Sequence, residues 1–232
     1  MPDPHRIEGE LIKILQQKHY NPLLIRIAER NPQVDSGQII RRLAKQTAEY
    51  AFAKKAFEGE VKVEELRGPV DLYRFYDGLS HMTGLSLSGF WVDRPLVERI
   101  WAATKRFDRK NRRNEFLSFC RSALFVHPEW NQMTDIVRMR VPAGNIVPVL
   151  RGRGSWRALR NNPGQTPQIR SEKDVFERLN WMPLPGLYQY MIPGCDPSNH
   201  PETEGKWRRM VWAFNDMWIC KVDKQSGSWP VA

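Results

Sequence analysis

Between Val70 and Val92 the chain reads VDLYRFYDGLSHMTGLSLSGFWV, and apolar and polar positions alternate along it. Val70, Leu72 and Phe75 sit around Tyr73 and Arg74; Leu85, Leu87, Phe90 and Trp91 sit around Ser86 and Ser88. A period of two with turn residues between the runs predicts two short strands joined as a hairpin. Ser86 and Ser88, two apart, share a face of the second strand. Arg74 lies inside the first strand beside aromatic residues, where its planar fork of donors suits phosphate or carboxylate. The hairpin thus offers a cation, hydroxyls and stacking rings. A salt-bridged arginine and an ordinary serine turn would show the same letters.

Elsewhere the period lengthens to that of a helix. Residues 6 to 58 read as helical, with Ile7, Leu11, Ile14 and Leu15 on one face, a start at Asn21-Pro22 and a stop at Asn31-Pro32. Asp35-Ser36 opens a longer run whose stripe is Ile39, Ile40, Leu43, Ala44, Tyr50, Ala51 and Phe57, with Gly59 ending it. Residues 1–65 are predicted as a helical N-terminal segment, a cap over a sheet or a module that docks a partner, with 60–68 a polar joint into residues 66–232. Pro95 opens a helix with Val97, Ile100, Trp101 and Thr104 inward, and EFLSFCRSALF makes another around Phe116, Phe119, Cys120 and Leu124. Between them KRFDRKNRRNE is the densest basic run, a solvated connection or a phosphate-tracking stretch. Met133–Leu150 predicts two strands around the turn Pro142-Ala143-Gly144, with Pro148 at an edge or bulge. Residues 151–174, rich in Gly, Pro and Arg, read as a long mobile loop made positive by Arg151, Arg153, Arg157 and Arg160. The tail holds a buried strand or helix over Met210–Val222, and Glu202-Thr203-Glu204 reads as an exposed loop.

Composition narrows the partners. The chain has 232 residues and a net charge of +10, from 36 Lys+Arg against 26 Asp+Glu, which favours an anionic partner. No apolar run approaches a membrane span, and MPDPHRIEGEL lacks the order of a secretion signal. Cys120, Cys195 and Cys220 are an odd, widely spaced set that reads as reduced thiols, Cys120 in the core. The five histidines make no paired ligand spacing, so no metal site is expected; His81 falls in the hairpin turn.

Three patches together resemble a known family. Leu72-Tyr73-Arg74, then Ser86-Leu87-Ser88-Gly89-Phe90-Trp91, then Gln189-Tyr190 after the Val141-Pro142-Ala143-Gly144 turn are similar, in that order, to the strands of bacterial ADP-ribosyltransferase-like toxin domains. Pro185-Gly186-Leu187-Tyr188-Gln189-Tyr190 is similar to the glutamine strand of NAD glycohydrolase toxins, without their triple glycine. The resemblance implies an α+β fold: a helical N-terminal segment packed on a split, mixed sheet. It implies NAD as substrate and no metal. Arg74, Ser88 and Gln189 would be catalytic, and Tyr73, Arg74, Ser86, Ser88, Phe90 and Trp91 would hold the dinucleotide, with Tyr76 a further ring. It also implies transfer to a macromolecule, RNA, DNA or protein, or else hydrolysis. An immunity protein or chaperone would be the partner, and the protein would act in a cytoplasm reached without a signal peptide. A basic nucleic-acid-binding protein without catalysis is the reading from another class, its aromatics serving the core or base stacking.

Overall fold

The computed structural model describes residues 9, 30, 36–76, 90–104, 109–129, 133, 135–160, 168–179, 187–193, 202–204, 207–211 and 216–221. Helices α1 (Ser36–Ala44) and α2 (Ala48–Ala56) lead into strands β1 (Phe57–Arg67) and β2 (Val70–Tyr76). A short strand β3 (Val92–Asp93) runs into α3 (Arg94–Ala103), followed by α4 (Arg109–Leu124), β4 (Asp135–Val141) and β5 (Ile146–Gly154). A 3-10 turn at Trp156–Leu159 and helix α5 (Glu172–Leu179) precede β6 (Tyr188–Met191), β7 (Glu202–Glu204), β8 (Trp207–Val211) and β9 (Asp216–Lys221). The fold is α+β. No helix among the described residues is long and apolar enough to cross a membrane.

The strands form two sheets, ordered β1-β5-β6 and β3-β2-β4-β9-β8-β7. Trp91 bridges them through its backbone. Trp91 donates its backbone N–H to Tyr190 O and accepts from Tyr190 N–H, both at 2.8 Å, and the next residues, Val92 and Asp93, pair with Tyr73 and Leu72. The chain therefore crosses from one sheet to the other at Trp91.

Period two sorts the side chains. Leu72, Val137, Met139 and Val141 of the larger sheet meet Val147, Val149, Tyr190 and Ile192 of the smaller one, with Trp91 fully buried between them. We call these the inner faces. The outer face of the larger sheet, Tyr73, Phe75 and Ile136, is covered by Leu96 and Val97 of α3 and Phe116 and Cys120 of α4. The outer face of the smaller sheet, Val61, Leu150 and Met191, packs with Ala53 of α2 and Phe57. At about 25 cal/mol per Å² of apolar surface, these three layers of contact are the main source of stability.

Several expectations change. Residues 57–67 are not a helix end and a polar joint but the eleven-residue strand β1, which pairs with β5. Its Glu-Val-Lys-Val alternation is a half-buried strand's, and the boundary placed at residue 65 falls inside it. The helical run from Ser36 is broken at Thr47, whose hydroxyl caps α2 by accepting from Tyr50 N–H at 3.4 Å. All pairings between named strands are antiparallel rather than mixed. Arg151 to Gly154 complete β5 instead of opening a loop. Gly152 is needed there because a Cβ would run into the Phe57 ring. Arg109, Lys110, Arg112 and Arg113 of the basic run form the first turns of α4 rather than a connection. Glu202–Glu204 is a strand, paired with β8, not a loop. The predicted helices before residue 36 lie outside the described residues, apart from Gly9 and Arg30, each helical.

Candidate anion-binding groove

Strand β6 has two faces with different fates. Tyr190 opposes Arg151 and Tyr188 opposes Arg153 across the β5 ladder, so these four side chains share the inner face. Where Tyr190 reaches the inter-sheet core, Tyr188 lies past its edge and is 42% exposed. The start of α3 closes the other side. Asp93 is that helix's N-cap, its Oδ1 accepting from Leu96 N–H at 3.0 Å, and its Oδ2 accepts the Tyr190 hydroxyl at 3.3 Å. Between these walls lies a groove of about 260 Å³, lined also by Arg99 and Leu187.

The groove is cationic. The Arg151 guanidinium stands 4.1 Å from the Tyr188 ring centroid and that of Arg153 stands 5.1 Å from it, both within cation–π range. Arg151 is held by Glu64 at 3.0 Å. The Glu64 bond, outweighing some desolvation, raises the pKa of Arg151 above its ordinary value and keeps it charged. Arg99 and Arg153 have no carboxylate partner among the described residues, so their donors face solvent or a ligand. Burial, then the neighbouring Asp93, pushes the Tyr190 phenol up, so it stays a neutral donor to Asp93. Three guanidiniums around an exposed aromatic ring can take a phosphate or carboxylate and stack a planar group beside it.

Among the described residues, those predicted for the site do not meet in one cleft. Gln189 opposes Gly152, next to the Leu150–Met191 pair, so its side chain leaves β6 on the outer face. It is 1% exposed. Its Nε2 donates to Leu124 O at 3.2 Å, and a Cβ at Gly154 would strike it. The reason lies in α4. That helix ends with Phe125 in the left-handed region (φ 53°) and with N–H bonds from Val126 to Arg121 O and from Phe125 to Ser122 O. Such an end leaves the last carbonyls without partners. Leu187 N–H takes that of Ala123, and Gln189 takes that of Leu124. Gln189 is a helix cap from another element. Its Oε1 finds no partner among the described residues.

Arg74 sits on β2 opposite Val137 and on the face of Leu72, turned to the inner side, and is not among the residues lining the groove. Tyr73 and Trp91 are fully buried core residues rather than walls a ligand reaches. Phe90 packs between Phe57 at 5.6 Å and Phe52 at 6.0 Å, on the outer face with Gln189. Ser86, Ser88 and His81 lie outside the described residues, as does the side chain of Tyr76. Arg151 and Arg153 were visible as cations, but the strand that gives them a common face was not; the Arg-Gly-Arg-Gly spacing, charges two apart, carried that signal. Nothing in the sequence marked Arg99 or Tyr188 for a site, and Asp93 reads there only as a residue that precedes the helix start at Pro95. Among the described residues no three metal-ligating side chains cluster.

No family model, no curated protein and no solved structure matches this chain.

Proposed function

We propose that the chain is an NAD-consuming enzyme, an ADP-ribosyltransferase or NAD glycohydrolase of the bacterial toxin kind. The observation that supports this reading is the order of backbone pairing. The segment that follows Ser-Leu-Ser-Gly is hydrogen-bonded to the strand of Arg74 through Val92 and Asp93, and to the strand of Gln189 through Trp91. The strands of Arg74 and Gln189, far apart in sequence, are thus both bonded to the short stretch Trp91–Asp93, in an order like that of the family's strands.

In this reading the diphosphate lies across Arg99, Arg151 and Arg153, and one ring of the dinucleotide stacks on Tyr188. Heterolysis of the nicotinamide–ribose bond sends its electron pair to the leaving nicotinamide and leaves an oxocarbenium-like sugar, as in glycoside cleavage. Water or an acceptor nucleophile captures C1′ and loses a proton. Gln189 takes no direct part; it holds the end of α4 against β6. An RNA, DNA or protein acceptor, and an immunity protein in the producing cell, belong to this same proposal.

Nicotinamide release from NAD by the purified chain tests it. Turnover that falls at least tenfold in the Arg151→Ala/Arg153→Ala double variant supports the reading; wild-type protein that releases none, alone or with RNA, DNA or cell extract as acceptor, sinks it. The exposed Tyr188 beside two guanidiniums favours a second reading, non-catalytic binding of single-stranded nucleic acid with a base on that ring. Salt-dependent binding of an oligonucleotide, lost in Tyr188→Ala and unaccompanied by nicotinamide release, would select it.

A further inference from the structure

Beside the groove, between α3 and α4, lies a second hollow of about 320 Å³. Ile100 and Phe119 wall it, and it exists because Ala103 of α3 and Ala123 of α4 leave room that larger side chains would fill. Leu96, Arg99 and Leu187 line both spaces. Among the described residues, Arg99 is the one charged residue lining this hollow, and it stands at the junction with the groove that Arg151 and Arg153 make cationic.

We propose that the hollow and the groove form one site for a small amphipathic anion, a free carboxylate carrying a single alkyl chain. The alkyl chain lies between α3 and α4, and the carboxylate meets Arg99 with Arg153 behind it. Charge complementarity decides the occupant. A neutral hydrocarbon would leave the arginines without a partner, and a purely polar anion would leave the apolar hollow filled with water against Ile100 and Phe119. An alkyl cation would meet three guanidiniums of its own sign. The inference goes beyond NAD turnover and does not need it, although an alkyl carboxylate bound at Arg99 would compete with a dinucleotide for the groove.

The test is calorimetric titration of the whole chain with hexanoate, octanoate and decanoate, each below its micellar concentration, with decanol and decyltrimethylammonium alongside. Affinity should rise about fourfold per added methylene until the hollow is full. Decanol and the cation should bind at least tenfold more weakly than decanoate. Arg99→Ala should weaken every carboxylate by about tenfold and keep the chain-length slope. Ala103→Trp, at an exposed position whose side chain would occupy the hollow, should flatten the slope and spare hexanoate. Equal binding of decanol and decanoate, no dependence on chain length, or an unchanged slope in a folded Ala103→Trp variant would each overturn the proposal. Should Ala103→Trp fail to fold, the slope and the Arg99→Ala offset decide on their own.

Discussion

Gln189 and Tyr188 are adjacent in the chain and belong to the same strand, yet one is buried and the other is the most ligand-accessible ring of the groove. Gln189 points to the outer face and binds the end of α4; Tyr188 points past the inner core to solvent, under two guanidiniums. Period two is the whole difference. One step along a strand exchanges core for surface, so a motif that selects β6 does not by itself say which of its side chains solvent reaches.

The contrast predicts opposite mutational behaviour on the two faces. The largest effect belongs to Gln189→Glu. A carboxylate buried against the Leu124 carbonyl has its folded pKa raised, so at pH 7 the variant should lose about 2–4 kcal/mol of stability. The sign is checkable: the loss should shrink as pH falls toward the unfolded glutamate value of about 4.3, because the protonated acid can donate where Nε2 did. Urea unfolding at pH 7 and pH 5 reads both limbs. A Gln189→Glu protein as stable as wild type at pH 7 would place that side chain in solvent, and the comparison would fail.

On the inner face binding should move and stability should not. Arg151→Ala with Arg153→Ala should weaken an anionic nucleotide by about 100-fold, two charge-assisted contacts at ~1.5 kcal/mol each, while unfolding shifts by less than about 1 kcal/mol. Tyr188→Ala should cost about tenfold for a ligand with a planar ring and little for inorganic phosphate, which has nothing to stack. Fluorescence titration of both ligands against the same variants separates stacking from charge.

The smallest effect is a control on the other sheet. Asp71 accepts from Arg140 Nε at 3.0 Å and pairs with Arg138. Burial pushes its carboxyl up, but the hydrogen bonds and charges of Arg140 and Arg138 outweigh this and hold it below the ordinary carboxylate range. A depressed carboxylate stabilises fully above its unfolded value of about 3.9 and loses that contribution as pH falls through its lower folded value. Asp71→Asn should therefore flatten the steepest acid limb of unfolding, below about pH 4, and leave the groove's affinity at pH 7 unchanged.

Much of the scaffold was legible from local chemistry. The alternation of Val70–Tyr76, the Pro-Ala-Gly turn between β4 and β5, Pro95 at the start of α3 and the apolar face of Phe116, Cys120 and Leu124 all predicted elements that form. The strand β1 is hard to see in the sequence because Glu and Lys occupy exposed positions along it and mask its alternation. The end of β5 was missed because Gly152 and Gly154 look like loop residues until Phe57 and Gln189 occupy the space beside them.

What the sequence determined by itself was periodicity, capping and turn chemistry, since these depend on residues within a few positions of one another. It also determined the cationic surplus. What only the tertiary structure decided was which side of β6 faces the groove and that Arg99, from α3, joins Arg151 and Arg153. Those outcomes rest on contacts across tens of residues: Gln189 with the Leu124 carbonyl, Trp91 with Tyr190, Asp93 with the Tyr190 hydroxyl. An orphaned helix carbonyl and a sheet crossing have no local signature, so no window along the chain could have shown them.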